Sequence, residues 1–172
     1  MMSLMPVVFN LFAALEAGFA PTPEEAARKM MQIARLRRGE VFYDLGSGDG
    51  TLLIIAAKEF GARAVGVEIQ NKLVAYSRRR VRNLGLKDKI EVIKGDFFKV
   101  NVSGADVLAL YLTPWALDKL KFKLEKELRQ GVRTVVYKYP MDGWKPKEIH
   151  NAVEGKEESK IFFYSQESVL RE

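Results

Sequence analysis

Short apolar runs alternate with amphipathic segments along most of the chain, and this alternation sets the expected architecture. The apolar runs have the length of buried strands and cover residues 41–45, 64–68, 90–94, 105–112 and 132–139. Between them, hydrophobic residues recur every three or four positions, as on one face of a helix, over residues 52–60, 72–84 and 115–128. The pattern therefore predicts strands and helices that follow one another in turn.

The end of the chain breaks this alternation. Residues 149–154 and 160–166 have strand-like composition, and the charged, glycine-containing stretch 155–158 between them predicts a turn. The run 105–112 is almost wholly apolar, as expected for a central strand covered on both faces. We therefore expect an open, twisted α/β sheet of about seven strands, mostly parallel, with a C-terminal antiparallel hairpin and helices on both faces.

The segment before the first strand carries a helix-start signal. Thr22 precedes a proline, and Glu25 lies three positions after Thr22. This spacing predicts a capping box in which Thr22 is the N-cap, Pro23 the first helical residue and Glu25 the reciprocal partner. The helix is expected to continue through Ala34.

Residues 1–18 form an almost wholly apolar helical pattern. They are too few for a bilayer-spanning helix, which needs about 20 apolar residues, and no basic region marks a secretory signal. Packing against the core is the expected role, with a dimer contact or a membrane-surface contact as alternatives. We expect a single domain over residues 1–172, with an apolar extension at 1–20 and a core at 21–172, in a cytoplasmic protein.

Composition narrows the chemistry. No cysteine occurs among the 172 residues, which excludes disulfides, thiolate nucleophiles and cysteine-ligated zinc, and we expect no metal site. The formal net charge is +6, and arginines cluster at 35–38 and 78–82. These clusters are expected to be solvated helix faces, with an acidic partner or RNA as the alternative. Scarce Asn and Gln beside abundant Lys, Arg and Glu are typical of a thermophile's surface.

The most informative motif is the string D-L-G-S-G-D-G at residues 44–50, which leads from the first strand directly into a helical segment. Glycines at alternate positions, Gly46 and Gly48, let the backbone turn tightly and approach a ligand closely. A dinucleotide-binding turn has the spacing G-x-G-x-x-G and accepts a pyrophosphate. Here the spacing is G-x-G-x-G, and the acids Asp44 and Asp49 would repel phosphate. The turn therefore favours a ligand with a cationic amino-acid end.

An acid at the end of the next strand, Glu68, supports a nucleoside ligand. Glu68 closes the strand at 64–68, about 20 residues beyond the glycine turn, where a carboxylate can accept hydrogen bonds from both ribose hydroxyls. The helical spacing between the two strands gives a βαβ unit of ordinary length. The next strand, at 90–94, runs into Asp96 and Phe97.

Together these motifs resemble the class I S-adenosylmethionine-dependent methyltransferases, whose signature is similar to the string at residues 44–50. The resemblance implies a Rossmann-like fold with S-adenosylmethionine as the cofactor. It also implies that Asp96 binds the adenine amino group and that Phe97 packs on the adenine ring. The cofactor-binding residues expected on this basis are Thr22, Asp44, Gly46, Ser47, Gly48, Glu68, Ile69, Asp96 and Phe97.

Further segments are similar to the small protein-lysine methyltransferases, which include an archaeal enzyme of broad substrate range and the mitochondrial enzyme that modifies the ATP synthase c-subunit. These segments are 20–23, 44–50, 73–78, 121–128 and 143–146. The resemblance implies methyl transfer to the side-chain amine of protein lysines, with the chain's own lysines among the candidates. It also implies that Thr22 lies beside the cofactor. The chain departs from these relatives at 112–115, L-T-P-W, where substrate is expected to enter.

The acceptor side is expected to be a channel lined by aromatic rings and hydroxyls. Its candidate residues are Phe19, Tyr111, Thr113 and Trp115, with Tyr139 and Trp144 as further candidates. Each aromatic could instead belong to the core, and Thr113 could be a helix N-cap. No general base is expected, because desolvation beside a positive sulfonium lowers the pKa of a lysine amine. The only histidine, His150, is expected to be a surface or structural residue.

Two alternatives stay open. Many enzymes that methylate an exocyclic amine of a base carry N-P-P-Y or D-P-P-Y after the fourth strand. This chain has L-T-P-W there and no appended RNA-binding domain, so RNA is the less favoured substrate. The other alternative is a non-catalytic domain that binds the cofactor only as a ligand or scaffolds a partner.

Overall fold

The computed structural model describes residues 20–154 and 157–165. Over these ranges the helices are α1 (Glu24–Ile33), α2 (Thr51–Glu59), α3 (Asn71–Asn83) and α4 (Pro114–Glu127). The strands are β1 (Val41–Leu45), β2 (Arg63–Glu68), β3 (Ile90–Lys94), β4 (Val107–Leu110), β5 (Arg133–Tyr137), β6 (Glu148–Glu154) and β7 (Glu157–Ser165). The expectations for the apolar segment 1–18 and for Phe19 lie outside the described residues.

The strands of the described residues form one sheet in the order β3-β2-β1-β4-β5-β7-β6. The first five strands pair in parallel, whereas β7 runs antiparallel to both β5 and β6. The predicted sheet, mostly parallel with an antiparallel C-terminal hairpin, is confirmed. Within residues 20–154 and 157–165, no helix is long and apolar enough to cross a membrane.

The strand order reverses between β1 and β4, which places β2 and β3 on one side of β1 and β4 and β5 on the other. In the sheet register, Leu45 of β1 lies beside Val67 of β2 and Leu110 of β4. The loops that follow these three strands therefore leave the sheet at the same edge. Open parallel α/β sheets bind their ligands at this kind of switch point, outside the carboxyl ends of the strands.

Apolar side chains fill both faces of the sheet. One face packs against α1, α2 and α3, with Met30 and Leu53 fully buried there. The opposite face packs against α4 through Leu117, Leu120 and Leu124. All four residues of β4 are buried, as expected for a central strand. Full burial of each such side chain contributes about 1.5–3 kcal/mol, so the sheet edge that carries the switch point rests on a rigid core.

The capping box predicted at the start of α1 is wrong. The helix begins at Glu24, its N-cap is Pro23, and no side chain caps it. Pro23 has an extended backbone (φ −57°, ψ 139°), and its carbonyl accepts from the Ala27 N–H at 2.9 Å. Thr22 therefore lies outside the helix, and it lines the cleft described below.

Several strand bounds also differ from the prediction. β4 is shorter than the predicted 105–112, because the Ala105 N–H donates to the Val102 carbonyl in a turn that precedes the strand. β5 ends before Lys138, whose positive φ of 75° turns the chain away from the sheet. β7 begins at Glu157, three residues earlier than predicted.

Candidate functional site

A cleft of about 440 Å³ opens at the carboxyl ends of β1, β2 and β4, where the strand order reverses. The predicted cofactor residues that line it are Thr22, Asp44, Gly46, Ser47, Glu68, Ile69 and Phe97. The predicted acceptor residues that line it are Tyr111, Thr113 and Tyr139. The two halves of the predicted site therefore meet in one cavity.

The glycine turn closes the floor of the cleft and is fastened to β2. The N–H groups of Gly46 and Ser47 both donate to the Val67 carbonyl, at 2.8 and 3.0 Å. Gly46 has φ +81°, and a Cβ at this position would lie 3.1 Å from Cδ2 of Leu112, which lines the opposite wall. Glycine is therefore required at this position both for its backbone conformation and for close packing.

Glu68 lies in the cleft wall and is only 6% exposed. Its Oε2 accepts from the Gly48 N–H at 2.9 Å, and its Oε1 accepts from the Gln70 N–H at 2.8 Å. Gly48 itself is not part of the cleft wall; its backbone orients Glu68. Each carboxylate oxygen has two lone pairs, so each keeps one for a further donor. Contact with two ribose hydroxyls remains a prediction, and this geometry leaves room for it.

Asp49 differs from its predicted role. Its Oδ1 accepts from the Thr51 N–H and its Oδ2 from the Thr51 hydroxyl, both at 3.0 Å. Arg80 of α3 pairs with the same carboxylate at 3.2 Å and also donates to the Asp49 carbonyl at 2.9 Å. The carboxylate is thus neutralised within the protein, so it is not the acid that favours a cationic ligand. Arg80 was expected on a solvated face; instead it holds the glycine turn to α3.

Asp44, like Glu68, forms no ion pair within the described residues. It is 5% exposed, and its pKa rises from 3.8 to about 8, because burial disfavours the charged form and because Asp49 and Glu68 add negative charge nearby. Among the described residues, no basic side chain forms an ion pair with it. A buried carboxyl with this environment gains stability from a positively charged ligand.

Apolar side chains from two loops face the cleft. Ile69, which follows β2, lines the cleft with 61% of its surface exposed. Phe97, which follows β3, also lines it and packs on Phe98 at 4.7 Å between ring centroids. Asp96 lies beside the cleft but is not part of its wall, and its Oδ1 accepts from the Phe98 N–H at 2.9 Å. The predicted contact of Asp96 with adenine therefore remains a prediction.

Three hydroxyls lie on the acceptor side. The ring of Tyr111 packs edge-to-face on Tyr137 at 4.9 Å. Thr113 is the N-cap of α4, and its Oγ1 accepts from the Ala116 N–H at 3.3 Å. Thr113 thus has both the structural role and the cleft position considered for it.

Tyr139 is placed in the cleft by a strained turn. Its N–H donates to the Tyr137 carbonyl at 3.0 Å, two residues back, around Lys138 with φ +75°. This is the geometry of a γ-turn, which is rare and costs about 1–3 kcal/mol for a residue other than glycine. Strain of this size persists where the surrounding structure fixes the backbone, and here it brings an aromatic hydroxyl to the cleft. The sequence carried no local sign of it.

Two predicted channel aromatics lie elsewhere. Trp115 is 63% exposed and is not part of the cleft wall; its ring meets Phe98 at 6.3 Å edge-to-face. Trp144 is 5% exposed, and its Nε1 donates to Glu125 at 2.9 Å. Neither residue lines the described cleft, so contact of either with the acceptor stays a prediction. Trp115 follows Thr113 by two residues on the first turn of α4, where the side chain points to solvent, and Trp144 belongs to the core.

His150 lies on β6, the sheet edge separated from β1 by β4, β5 and β7. Its Nε2 is 2.9 Å from Oε2 of Glu148, and the other oxygen of that carboxylate accepts from Arg35 at 2.8 Å. This surface network agrees with the structural role expected for the histidine.

A sheet with this strand order, a glycine turn after β1 and a buried carboxylate ending β2 defines an S-adenosylmethionine-dependent methyltransferase. Comparison with known proteins agrees. The chain belongs to the family of the ANTKMT methyltransferase domain, whose family model matches residues 44–148.

Relatives of known description span most of the chain. A protein-lysine N-methyltransferase of Saccharolobus islandicus is 37% identical over 147 residues, which cover 85% of this chain and 91% of that protein. The lysine N-methyltransferase of the ATP synthase c-subunit from Mus musculus is 34% identical over 128 residues, or 74% of this chain. The chain covers 51% of that mouse protein, about half its length.

A solved structure is also similar. It is an RNA methyltransferase from Salinibacter ruber in complex with S-adenosyl-L-homocysteine, with 35% identity and a TM-score of 0.80. The match covers 85% of this chain and 93% of that chain. The fold and the cofactor class therefore agree across relatives whose described substrates differ.

Proposed function

We propose that this methyltransferase acts on the side-chain amine of protein lysines. The observation that carries the proposal is the match to the Saccharolobus islandicus protein-lysine N-methyltransferase over 91% of its length. The acceptor side of the cleft supports it, because the hydroxyl-bearing residues Tyr111, Thr113 and Tyr139 line it and no histidine lies in the described cleft wall. Such a wall suits an amine that needs positioning more than a strong base.

The proposed cofactor arrangement uses two acids for two chemical groups. Asp44 binds the cationic amino-acid end, since it lacks a counter-charge in the cleft. Glu68 accepts from the ribose hydroxyls through its remaining lone pairs. Ile69 and Phe97 supply apolar surface for the base. S-adenosylmethionine, when bound, supplies a methyl group activated by its sulfonium.

On the acceptor side, the residues of the chain orient the amine and exclude water. A lysine amine must be neutral to act as a nucleophile, and its ordinary pKa is about 10.4. Desolvation between Tyr111 and Tyr139, next to a positively charged centre, lowers that pKa. The hydroxyls of Thr113 and the tyrosines can accept from or donate to the neutral amine. The proton is therefore lost to solvent as the amine enters the cleft, before methyl transfer.

RNA is the second candidate, because the Salinibacter ruber structure is described as an RNA methyltransferase. The site itself gives RNA less support. Residues 112–115 lack the N-P-P-Y or D-P-P-Y tetrad that holds a flipped base in many enzymes that methylate exocyclic amines. We therefore rank RNA below protein lysine.

The chain's own lysines belong to the proposed substrates. Lys119 and Lys126 are exposed on α4, and Lys145 is exposed in the segment before β6. Lys121 donates to the Asp142 carbonyl at 3.2 Å, and Lys123 is paired with Glu127 and 12% exposed, so both are poorer candidates. An open cleft with few polar groups for the acceptor discriminates weakly among lysines.

The test is incubation of the pure protein with methyl-labelled cofactor, followed by peptide mapping, with Glu68→Ala, which is expected to bind the cofactor more weakly, as the matched control. Label on exposed lysines in the active protein alone supports the proposal. Label absent from every lysine but present on added RNA overturns it.

Three further expectations belong to the proposal and stay predictions. The protein is cytoplasmic, its source is a thermophile, and residues 1–172 form a single domain with residues 1–20 as an apolar extension. A protein substrate is its expected partner, as supported by the lysine methyltransferase relatives.

A further inference from the structure

One face of α4 is unusually apolar for a surface. Trp115 and Phe122 are the two most exposed large hydrophobic residues of the described chain, at 63% and 65%. Together with Lys119 and Lys126 they recur at intervals of four, three and four residues, which places all four on one side of the helix. We call this set the α4 ridge. Two exposed aromatics on one helix face indicate a contact surface.

The ridge begins at the mouth of the cleft. Thr113 and Ala116, on either side of Trp115 in sequence, both line the cleft. From Trp115 to Lys126 the helix rises about 16 Å at 1.5 Å per residue. An extended chain covers that distance with about five residues. A segment that enters the cleft can therefore lie along the whole ridge.

The ridge carries free positive charge. The Lys119 ammonium lies 4.3 Å from the centroid of the Trp115 ring, and neither Lys119 nor Lys126 forms an ion pair within the described residues. Of the three acids of the same helix, Glu125 is occupied by Trp144 and Glu127 by Lys123, whereas Asp118 is exposed beside the ridge. The two lysines of the ridge outnumber this one acid, so the surface keeps a net positive charge. The surface therefore complements a partner that is both apolar and acidic.

We propose that the α4 ridge binds an acidic, apolar segment of the substrate protein that lies within about five residues of the methylated lysine. This inference rests on the proposed lysine acceptor and names its sequence context. Nucleic acid fits the ridge less well. Lys119 covers one face of the Trp115 ring and Phe98 meets it edge-on, so the ring is not open for stacking between bases.

The experiment uses three peptides. The first carries one lysine flanked on both sides, within five positions, by leucine and two glutamates. The second has each glutamate replaced by arginine, which reverses the charge without adding an acceptor. The third is acetyl-Gly-Lys-Gly-amide, which is too short to reach the ridge. Binding is measured by fluorescence anisotropy, and methylation by transfer of labelled methyl.

With the unaltered enzyme, the acidic peptide is expected to have about tenfold higher kcat/KM than the arginine peptide, mainly through KM. Phe122→Ala and Lys126→Glu are each expected to remove most of that preference and to leave the short peptide unchanged. Ile149→Ala is the matched apolar control, since Ile149 is 54% exposed on the distant β6. Arg79→Glu is the matched charge control, on α3 at the opposite face of the sheet.

Several outcomes would overturn the inference. Equal binding and kcat/KM for the two long peptides, or an unchanged preference in Phe122→Ala, shows that the ridge does not select substrate. Loss of self-association in Phe122→Ala with unchanged peptide kinetics assigns the ridge to a contact between copies of the chain. In each case methylation of the short peptide keeps the lysine proposal standing. Failure to methylate any of the three peptides, with label passing to added RNA, instead removes the lysine proposal itself.

Discussion

Three acids lie within one cleft, and their surroundings give them different roles. Asp49 is neutralised by Arg80 and Thr51 and holds the glycine turn. Glu68 binds two backbone N–H groups and keeps lone pairs free. Asp44 forms no ion pair in the part of the chain that the structure describes, and its pKa is raised. All three residues carry carboxylates, and their neighbours distinguish the structural carboxylate of Asp49 from the two that we propose bind the cofactor.

Glu68→Ala is expected to weaken cofactor binding by about 1–3 kcal/mol in a protein that still folds, because charge-assisted hydrogen bonds to the ribose are lost. Asp96→Ala, whose carboxylate would meet a neutral amino group, should cost less. Isothermal titration calorimetry of both variants measures the difference. Unchanged affinity in a folded Glu68→Ala protein would contradict the ribose assignment.

The cofactor-free protein should become less stable as pH rises, because the buried Asp44 carboxyl then loses its proton. Its folded pKa of about 8 lies above the ordinary 3.8, so the native state holds a proton that the unfolded chain has released between these values. Stability from this group is therefore fully present below pH 4 and is lost progressively as pH rises to 8. Asp44→Asn should remove this slope. Urea unfolding at pH 5 and pH 8 checks it, and an equal slope in both proteins would be evidence against the assignment.

His150→Ala should leave methyl transfer unchanged, because the side chain contacts Glu148 on the far edge of the sheet. The rate should rise with pH toward the lowered pKa of the acceptor amine, since no side-chain base is proposed. A pH–rate profile of both proteins tests this. A hundredfold loss on the substitution would show that the histidine takes part in the chemistry.

At the scale of the elements, the strands and helices followed from hydrophobic spacing, because burial on one or both faces leaves a periodic pattern. Local sequence motifs failed to predict the ends of elements where contacts with residues distant in sequence determine the backbone conformation. The capping box at Thr22 is absent, because Pro23 adopts an extended backbone and becomes the N-cap. The end of β5 depends on the strained turn at Lys138, which no residue pattern marks.

In the candidate site, too, some residues were predictable from the sequence and others were not. The glycine turn and Glu68 were predictable, because their positions after β1 and β2 are fixed by the βαβ unit. The role of Arg80 was not, since it depends on the rotation of α3 against the glycine turn. Sequence could not show that Trp115 faces outward while its neighbours Thr113 and Ala116 line the cleft, because this depends on the rotation of α4.

Thr113 both caps α4 and lines the acceptor side of the cleft, so its substitution tests a stabilising role and a functional role together. Thr113→Ala should cost about 1 kcal/mol of unfolding free energy, because the Ala116 N–H loses its acceptor. Thr113→Ser keeps the hydroxyl and should retain both stability and activity. Urea titration with matched m-values provides the comparison. If Thr113→Ala unfolds at the same urea concentration as the unaltered chain, the cap contributes nothing.

At the scale of the whole molecule, the candidate functional residues lie at one edge of the sheet, the carboxyl ends of its parallel strands. Helices cover both faces of the sheet, and the loops after β1, β2 and β4 meet at the reversal of strand order. The cofactor acids come from the β1 and β2 side, and Tyr111 and Thr113 come from the β4 side. In the proposed arrangement, the cofactor and the acceptor approach one another across the switch point.

The central claim is that the acceptor is a protein lysine. The most direct measurement is mass spectrometry after the purified protein is incubated with methyl-labelled cofactor and cell lysate, with and without ribonuclease treatment of that lysate. The account predicts labelled lysine side chains in proteins, in amounts that ribonuclease does not change. Label that disappears from the products after ribonuclease treatment, with no methylated lysine, would contradict it.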